Sequence, residues 1–362
     1  VIMSTSKARK SISPCRLAES GLVTEGALRM APLCGLPRLL EDHGMDADAV
    51  IREVGCEPAL FRDPENTIDF AAVGRLFAHT AKVTGYPYPG LELGRHLGLD
   101  VLGALGRAIR YAPDIGTALR ALILHFHLHD RGAIPSLWES HDLAMFGYTL
   151  YCPQVTGTDH IYDAALAISR NMFSELAGLE WKINEVRFFR EPPEDMEPFR
   201  RHFSTRLRFG MEHAAIVFPA ADLVRPLVEA DPSAFAKALR VLEELDGASD
   251  ACRLENQVRS LLHQLFITGS GPGGIDLRVI ARFFSLHPRT LNRRLHAEGT
   301  TFNALLAETR YVIARQVLRD THLQIADIAI LLGYADSSSF NHAFSRWSGT
   351  TATAWRSSNR SS

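Results

Sequence analysis

What this sequence lacks excludes several kinds of protein. No run of 18 apolar residues occurs among its 362 residues, so no segment reads as a membrane-spanning helix. Cysteine is scarce: Cys15, Cys34, Cys56, Cys152 and Cys252 stand apart from one another. An odd, scattered set gives neither a disulfide framework nor a zinc knuckle, and implies reduced thiols in a cytoplasm. The motifs G-x-S-x-G, H-E-x-x-H, C-x-x-C and the phosphate-binding P-loop are missing, so no enzyme class, cofactor or metal is expected. The opening residues, VIMSTSKARKSIS, are basic and polar without the apolar run of a signal peptide, and residues 1–30 read as a flexible leader. What remains is 46% hydrophobic and 22% charged, the composition of a soluble globular protein of two or three domains.

Lysine is absent from one region, and this exposes an asymmetry in charge. From Cys252 onward the chain has 13 Arg, no Lys and 7 Asp and Glu, a net of +6; the residues before it hold 26 basic and 34 acidic side chains, a net of −8. A basic C-terminal third on an acidic body is the arrangement expected when one part alone meets phosphates.

Residues 33–130 read mostly as helix, with apolar residues three and four apart in Leu36–Gly44, Asp46–Val54, Phe70–Thr84, Gly90–Gly98 and Val101–Ala112. Ala133–Ser140 and Leu143–Tyr151 flank a polar turn and predict a hairpin. Asp159–Leu176 predicts helix, Ile183–Phe189 strand, Glu194–Phe203 helix, and Ala214–Phe218 strand. Strands mixed with helices without a βαβ rhythm predict an α+β domain over 31–245. Ala234–Leu245 is helical, Asp246–Asp250 is taken as the hinge, and 252–362 is expected to be an all-α domain opened by helix Leu254–Phe266.

That last domain repeats one structural phrase. Ala281, Phe284, Leu291 and Leu295 are echoed by Ala329, Leu332, Phe340 and Phe344, at intervals of three, seven and four and then three, eight and four. A small residue where two helices cross, with apolar residues locking them, makes a helix-turn-helix, and two such units imply a reader of double-stranded DNA. In the first unit Leu291 and Leu295 face inward, which places Arg289, Thr290, Asn292, Arg293 and His296 on the polar side. Arg can reach guanine O6 and N7 as a fork, and Asn can do the same for adenine. In the second unit Asp336 is placed to cap a helix whose inward pair is Phe340 and Phe344. Ser338, Ser339, Asn341, His342 and Arg346 are the outward candidates. Thr301–Asp320 reads as one amphipathic helix of roughly 30 Å, close to the roughly 34 Å of a DNA turn, so one chain is expected to span successive major grooves over about 15–20 bp.

The runs HPRTLNRRLHAEGTTF and IADIAILLGYADSSSFNHAFSRWSG, with Arg310, Ala314-Arg315 and Leu318 between them and Trp355-Arg356 after them, resemble the DNA-binding domain of the AraC/XylS family of bacterial transcription regulators. The resemblance covers about 100 residues and implies a seven-helix domain with two helix-turn-helix motifs. His287 stands where that family usually has a Ser cap, His342 where it has Arg, and Ala352 where it has Pro. Leu91-x-Leu93-Gly94, Gly103-x-Leu105-Gly106, Arg208-Phe209-Gly210 and Ile216-x-Phe218-Pro219 resemble the arabinose-binding-like N-terminal effector domain of such regulators. Together they imply an activator controlled by a small-molecule effector, cytoplasmic and nucleoid-associated. Its partners would be promoter DNA, RNA polymerase and a second copy in a homodimer.

Other signals are weaker. Gly269 to Gly274 satisfies G-x-G-x-x-G but lies between helices with Pro272 inside, and reads as a loop. His125, His127 and His129 alternate beside Asp130, and could hold a metal or line an effector pocket. Trp138, Phe146, Tyr148 and Trp181 serve either as core or as pocket wall, so His127, His129, Trp138, Phe146 and Tyr148 are the effector candidates. Two rival readings are a DNA-repair or alkyl-transfer enzyme fused to such a DNA-binding domain, and an architectural binder without effector. The enzyme would need a reactive Cys or a metal cluster upstream, which Cys15, Cys34 and Cys56 do not supply.

Overall fold

The computed structural model describes residues 26–140, 142–150, 155–211, 213–248, 253–267, 275–283, 286–321 and 323–359. Strand β1 (Ala27–Arg29) pairs antiparallel with β2 (Thr67–Asp69), and helices α1 (Leu36–Asp42) and α2 (Ala47–Glu53) lie between them in sequence. Then come helices α3 (Phe70–Thr84), α4 (Pro89–Gly94), α5 (Ala104–Ile109) and α6 (Ile115–His125). The hairpin β3 (Ala133–Ser140) and β4 (Leu143–Leu150) leads into α7 (Thr158–Ala177). The body finishes with β5 (Glu185–Arg187), α8 (Glu197–Phe203), β6 (Arg206–Arg208), β7 (Ala214–Pro219) and α9 (Pro232–Ala248).

The larger sheet has the order β3-β4-β7-β5-β6; β5 and β6 run parallel and the other neighbours antiparallel. The central strand β7 reads Ala-Ala-Ile-Val-Phe because both of its faces are covered, and all five residues are buried. Helix α7 closes one face of the sheet through Phe173, which meets Phe146 of β4 edge-on at 5.7 Å and Phe218 of β7 at 5.2 Å. Helix α4 crosses α7 closely because Gly94 carries no side chain: a Cβ there would lie 2.7 Å from the Ala164 carbonyl.

The second part is helical: α10 (Arg253–Ile267), α11 (Leu277–Phe283), α12 (Pro288–Ala297), α13 (Phe302–Asp320), α14 (Ile325–Leu331), α15 (Ser337–Ser348) and α16 (Ala352–Asn359). One buried apolar cluster runs through it from Leu254 to Ala352, separate from the cluster that fills the α+β body. Helix α10 belongs to this second cluster yet also packs on α6 and β3.

The expected α+β body followed by an all-helical domain is the observed architecture, with three local differences. Ala27–Arg29 is a buried strand and not part of a loose leader, since pairing with β2 satisfies its backbone and Leu28 and Met30 enter the core; the rest of the leader, residues 1–25, lies outside the described residues. Helix α9 continues to Ala248, so Asp246 to Ala248 extend a helix instead of forming a hinge. The helix expected over Val101–Ala112 is interrupted at Gly103, whose φ of +59° ends a short 3-10 turn and starts α5. His125 ends α6, and His127 and His129 lie in the turn after it. The Gly269–Gly274 loop and Phe284 lie outside the described residues.

Candidate DNA interface and effector cavity

Helix α12 starts at Pro288, where the missing proline N–H has no intrahelical partner to lose. His287 caps it: the ring Nδ1 accepts from the Arg289 amide at 3.2 Å, the task an upstream Ser would perform. Leu291 and Leu295 are fully buried. Burying that pair turns Arg289, Arg293, Arg294 and His296 to solvent and leaves Thr290 and Asn292 half-buried beside them. Arg294 was not among the sequence candidates, although its place beside Arg293 is a usable signal.

Helix α15 is built on the same plan. The Asp336 carboxylate accepts from the Ser339 amide at 2.7 Å, which holds its pKa below the ordinary carboxylate range. Phe340 and Phe344 are fully buried, 5.8 Å apart ring to ring. Ser338, Ser339, His342 and Arg346 are exposed, and Asn341 is half-buried. Ala352 is fully buried at the start of α16 and takes the helix-opening place of a proline.

Helix α13 joins the two units without a break, and its 19 residues span about 28 Å. Two of its arginines are used internally. The Arg310 guanidinium lies 4.8 Å from the Tyr334 ring centre and 5.8 Å from Phe266, while Arg315 lies 5.5 Å from Tyr311 and 5.7 Å from Trp355. Arg259 pairs with Glu255 and Glu308, both at 2.6 Å, and Arg356 donates to the Leu323 carbonyl at 2.7 Å. By contrast Arg289, Arg293 and Arg294 of α12 and Arg346 of α15 make no ion pair among the described residues.

The acidic body holds a cavity of about 90 Å³. Its walls come from α3 (Phe70, Val73, Phe77), one face of α7 (Ile161, Ala165, Met172), and Phe146 and Tyr148 of β4. His129 and Asp130 supply its polar end. Asp130 is buried and accepts from the Gly132 and Ala133 amides at 2.8 and 2.9 Å and from the Tyr148 hydroxyl at 2.9 Å. Burial nonetheless pushes its pKa up to about 7, and burial pushes that of His129 down to about 3.

Of the five effector candidates, His129, Phe146 and Tyr148 line this cavity. His127 and Trp138 do not. His127 is buried in the turn after α6, and Trp138 packs edge-on to His213 at 5.7 Å with its N–H toward the Met145 sulfur at 3.1 Å. Trp181 is core: it stacks on Phe173 at 4.7 Å and donates to Asp222 at 2.9 Å. Among the described residues no three His, Cys, Asp or Glu side chains gather as metal ligands do. Cys56 is buried, and burial raises the Cys34 thiol above its ordinary pKa, the reverse of what a reactive thiolate requires.

Residues 44–227 match the model of the arabinose-binding domain found at the N-terminus of AraC transcription regulators, and residues 280–358 match a helix-turn-helix domain. The chain belongs to the AraC family of transcription regulators. It is 27% identical over 331 residues to the HTH-type transcriptional regulator VirS of Mycobacterium tuberculosis, which covers 91% of this chain and 96% of that protein. It is 25% identical over 319 residues to the ornithine utilization regulator of Pseudomonas aeruginosa, covering 88% and 93%. Among solved structures, the transcriptional regulator CdpR of Pseudomonas aeruginosa is 26% identical and covers 74% of this chain and 86% of that one, with a TM-score of 0.38. This membership identifies the chain as a DNA-binding transcription regulator of the helix-turn-helix type; nothing in it supports alkyl transfer. Among the described residues no helix is long and apolar enough to cross a membrane.

Proposed function

We propose that the chain acts, without catalysis, as a cytoplasmic, nucleoid-associated transcription activator that a small molecule controls. Residues 31–245, with the strand before them, form the effector and dimerisation domain, and 252–362 the DNA-binding domain. Helix α12 reads bases through Arg289, Thr290, Asn292, Arg293 and His296. Helix α15 enters the next major groove through Ser338, Ser339, Asn341, His342 and Arg346, with more contacts to backbone than to base edges. The single observation that carries this reading is the two outward polar rows, each set above a fully buried apolar pair, in the two units that one unbroken helix joins.

The cavity and the DNA-binding domain share neighbours. Leu122 of α6 and Pro135 of β3 line the cavity, and α10 packs on α6 and β3. A ligand that prefers one placement of these two elements thereby favours one seat for α10, which is the differential affinity that allosteric control requires. Val241 and Leu245, exposed one turn apart on α9, support a homodimer, and Ile330, 71% exposed on α14, offers apolar surface to RNA polymerase.

The base-reading role is tested with Arg293→Ala. Affinity for a site selected from random DNA is expected to fall by about 1–3 kcal/mol, with discrimination relaxed at one position. An unchanged affinity would remove Arg293 from the reading surface.

A further inference from the structure

The family model that matches the body is named for a sugar, but this cavity is built for something else. A pentose carries a hydroxyl on almost every carbon, and each hydroxyl that is buried without a partner is costly. Here the polar side chains of the lining are four: Ser169 on α7, and His129, Asp130 and Tyr148 together at one end. The remaining wall is aliphatic and aromatic. A carboxylate offers about four lone-pair directions. Three on Asp130 are taken by Gly132, Ala133 and Tyr148, which leaves one for a donor on a ligand.

We propose that this cavity takes a small, uncharged, lipophilic molecule with a single hydroxyl or amide donor, which hydrogen-bonds to Asp130 beside Tyr148 while its hydrocarbon part fills the space between α3 and α7. The inference rests on reading the cavity as the effector seat and adds the chemical class. An anionic head is disfavoured because the lining offers it no cation: it has neither Arg nor Lys, and burial holds His129 neutral. A cationic head is disfavoured by the apolar wall, and by Arg29, whose charge already acts against protonation of the neighbouring His129. The cavity volume of about 90 Å³ has room for roughly six to nine non-hydrogen atoms, at 10–15 Å³ for each water-sized centre.

The test is calorimetry on the full chain with 1-hexanol and benzyl alcohol, against hexanoate, L-arabinose and L-ornithine. The two alcohols are expected to bind at least tenfold more tightly than the other three. Ala165→Phe, which fills the space beside α7, is expected to weaken them at least tenfold. Tyr148→Phe, a smaller change that carries the test should Ala165→Phe not fold, is expected to weaken 1-hexanol several-fold and leave toluene unchanged. Arabinose or ornithine binding as tightly as the alcohols, no alcohol binding, or alcohol binding indifferent to both variants would overturn the proposal. Affinity for DNA, measured with and without 1-hexanol, separates the two readings. Alcohol binding in the cavity with no effect on DNA upholds the ligand class and removes the control reading. A polar ligand that Ala165→Phe excludes and that shifts DNA affinity does the reverse.

Discussion

The two helix-turn-helix units share a plan and differ in chemistry. Each has a capped helix, a fully buried apolar pair four residues apart, and an outward polar row. In the first unit the row is cationic, with Arg289, Arg293 and Arg294 exposed; in the second it is serine, asparagine and histidine with Arg346 as its one arginine. The difference shows that packing and reading are separable. The buried side of each helix fixes where it stands, and the exposed side is free to be cationic in one unit and mostly uncharged in the other. It also shows how a raw charge count misleads. The net of +6 in this region includes Arg259, Arg310, Arg315 and Arg356, which are spent on carboxylates, rings and a carbonyl inside the domain.

The comparison can be broken in the core. Phe344→Ala is expected to cost about 3–5 kcal/mol and Leu295→Ala about 2–5 kcal/mol. Because one apolar cluster runs through both units, each variant is expected to lower a single shared unfolding transition. Separate transitions in calorimetry, with one unit unaffected by damage to the other, would show the units to be independent.

It can be sharpened at the DNA surface. Arg289→Ala and Arg293→Ala are each expected to reduce the slope of log affinity against log salt by about 1 where they meet phosphate, and to weaken binding most at low salt. His342→Ala is expected to leave that slope nearly unchanged and to cost less than Arg293→Ala. Equal slopes for all three would erase the distinction between an anchoring and an adaptable helix.

The smallest effect lies in the caps. Asp336→Ala is expected to lower the denaturation midpoint of the domain slightly, since it leaves the Ser339 amide without its acceptor. His287→Ala removes a longer bond and is expected to shift that midpoint less than half as far, by chemical denaturation. The ranking reverses if the histidine cap contributes more than its geometry implies.

The second half of the chain was legible because its signals are local. Leu291 and Leu295, Phe340 and Phe344, the Pro288 start and the Asp336 cap all act within a turn or two of helix, and they fell where spacing placed them. The body was less legible because its partners are distant in sequence. A three-residue strand such as Ala27–Arg29 carries almost no pattern, and it exists through pairing with Thr67–Asp69 some forty residues on. The cavity draws its wall from Leu28, Phe70, Tyr148 and Met172, and no spacing rule connects them. His129, Phe146 and Tyr148 were within reach of sequence reasoning as chemistry. His127 and Trp138 were chosen on the same grounds, but the turn after α6 and the outer strand β3 carry them elsewhere.

The central claim is that α13 fixes the separation of the two readers. It is tested most directly by measuring affinity for the selected site after five base pairs are inserted between its two halves. The insertion turns one half to the opposite face of the duplex, and a rigid helix of about 28 Å cannot follow it. A loss of at least tenfold is the expected result, whereas equal affinity for the two sites would contradict the account.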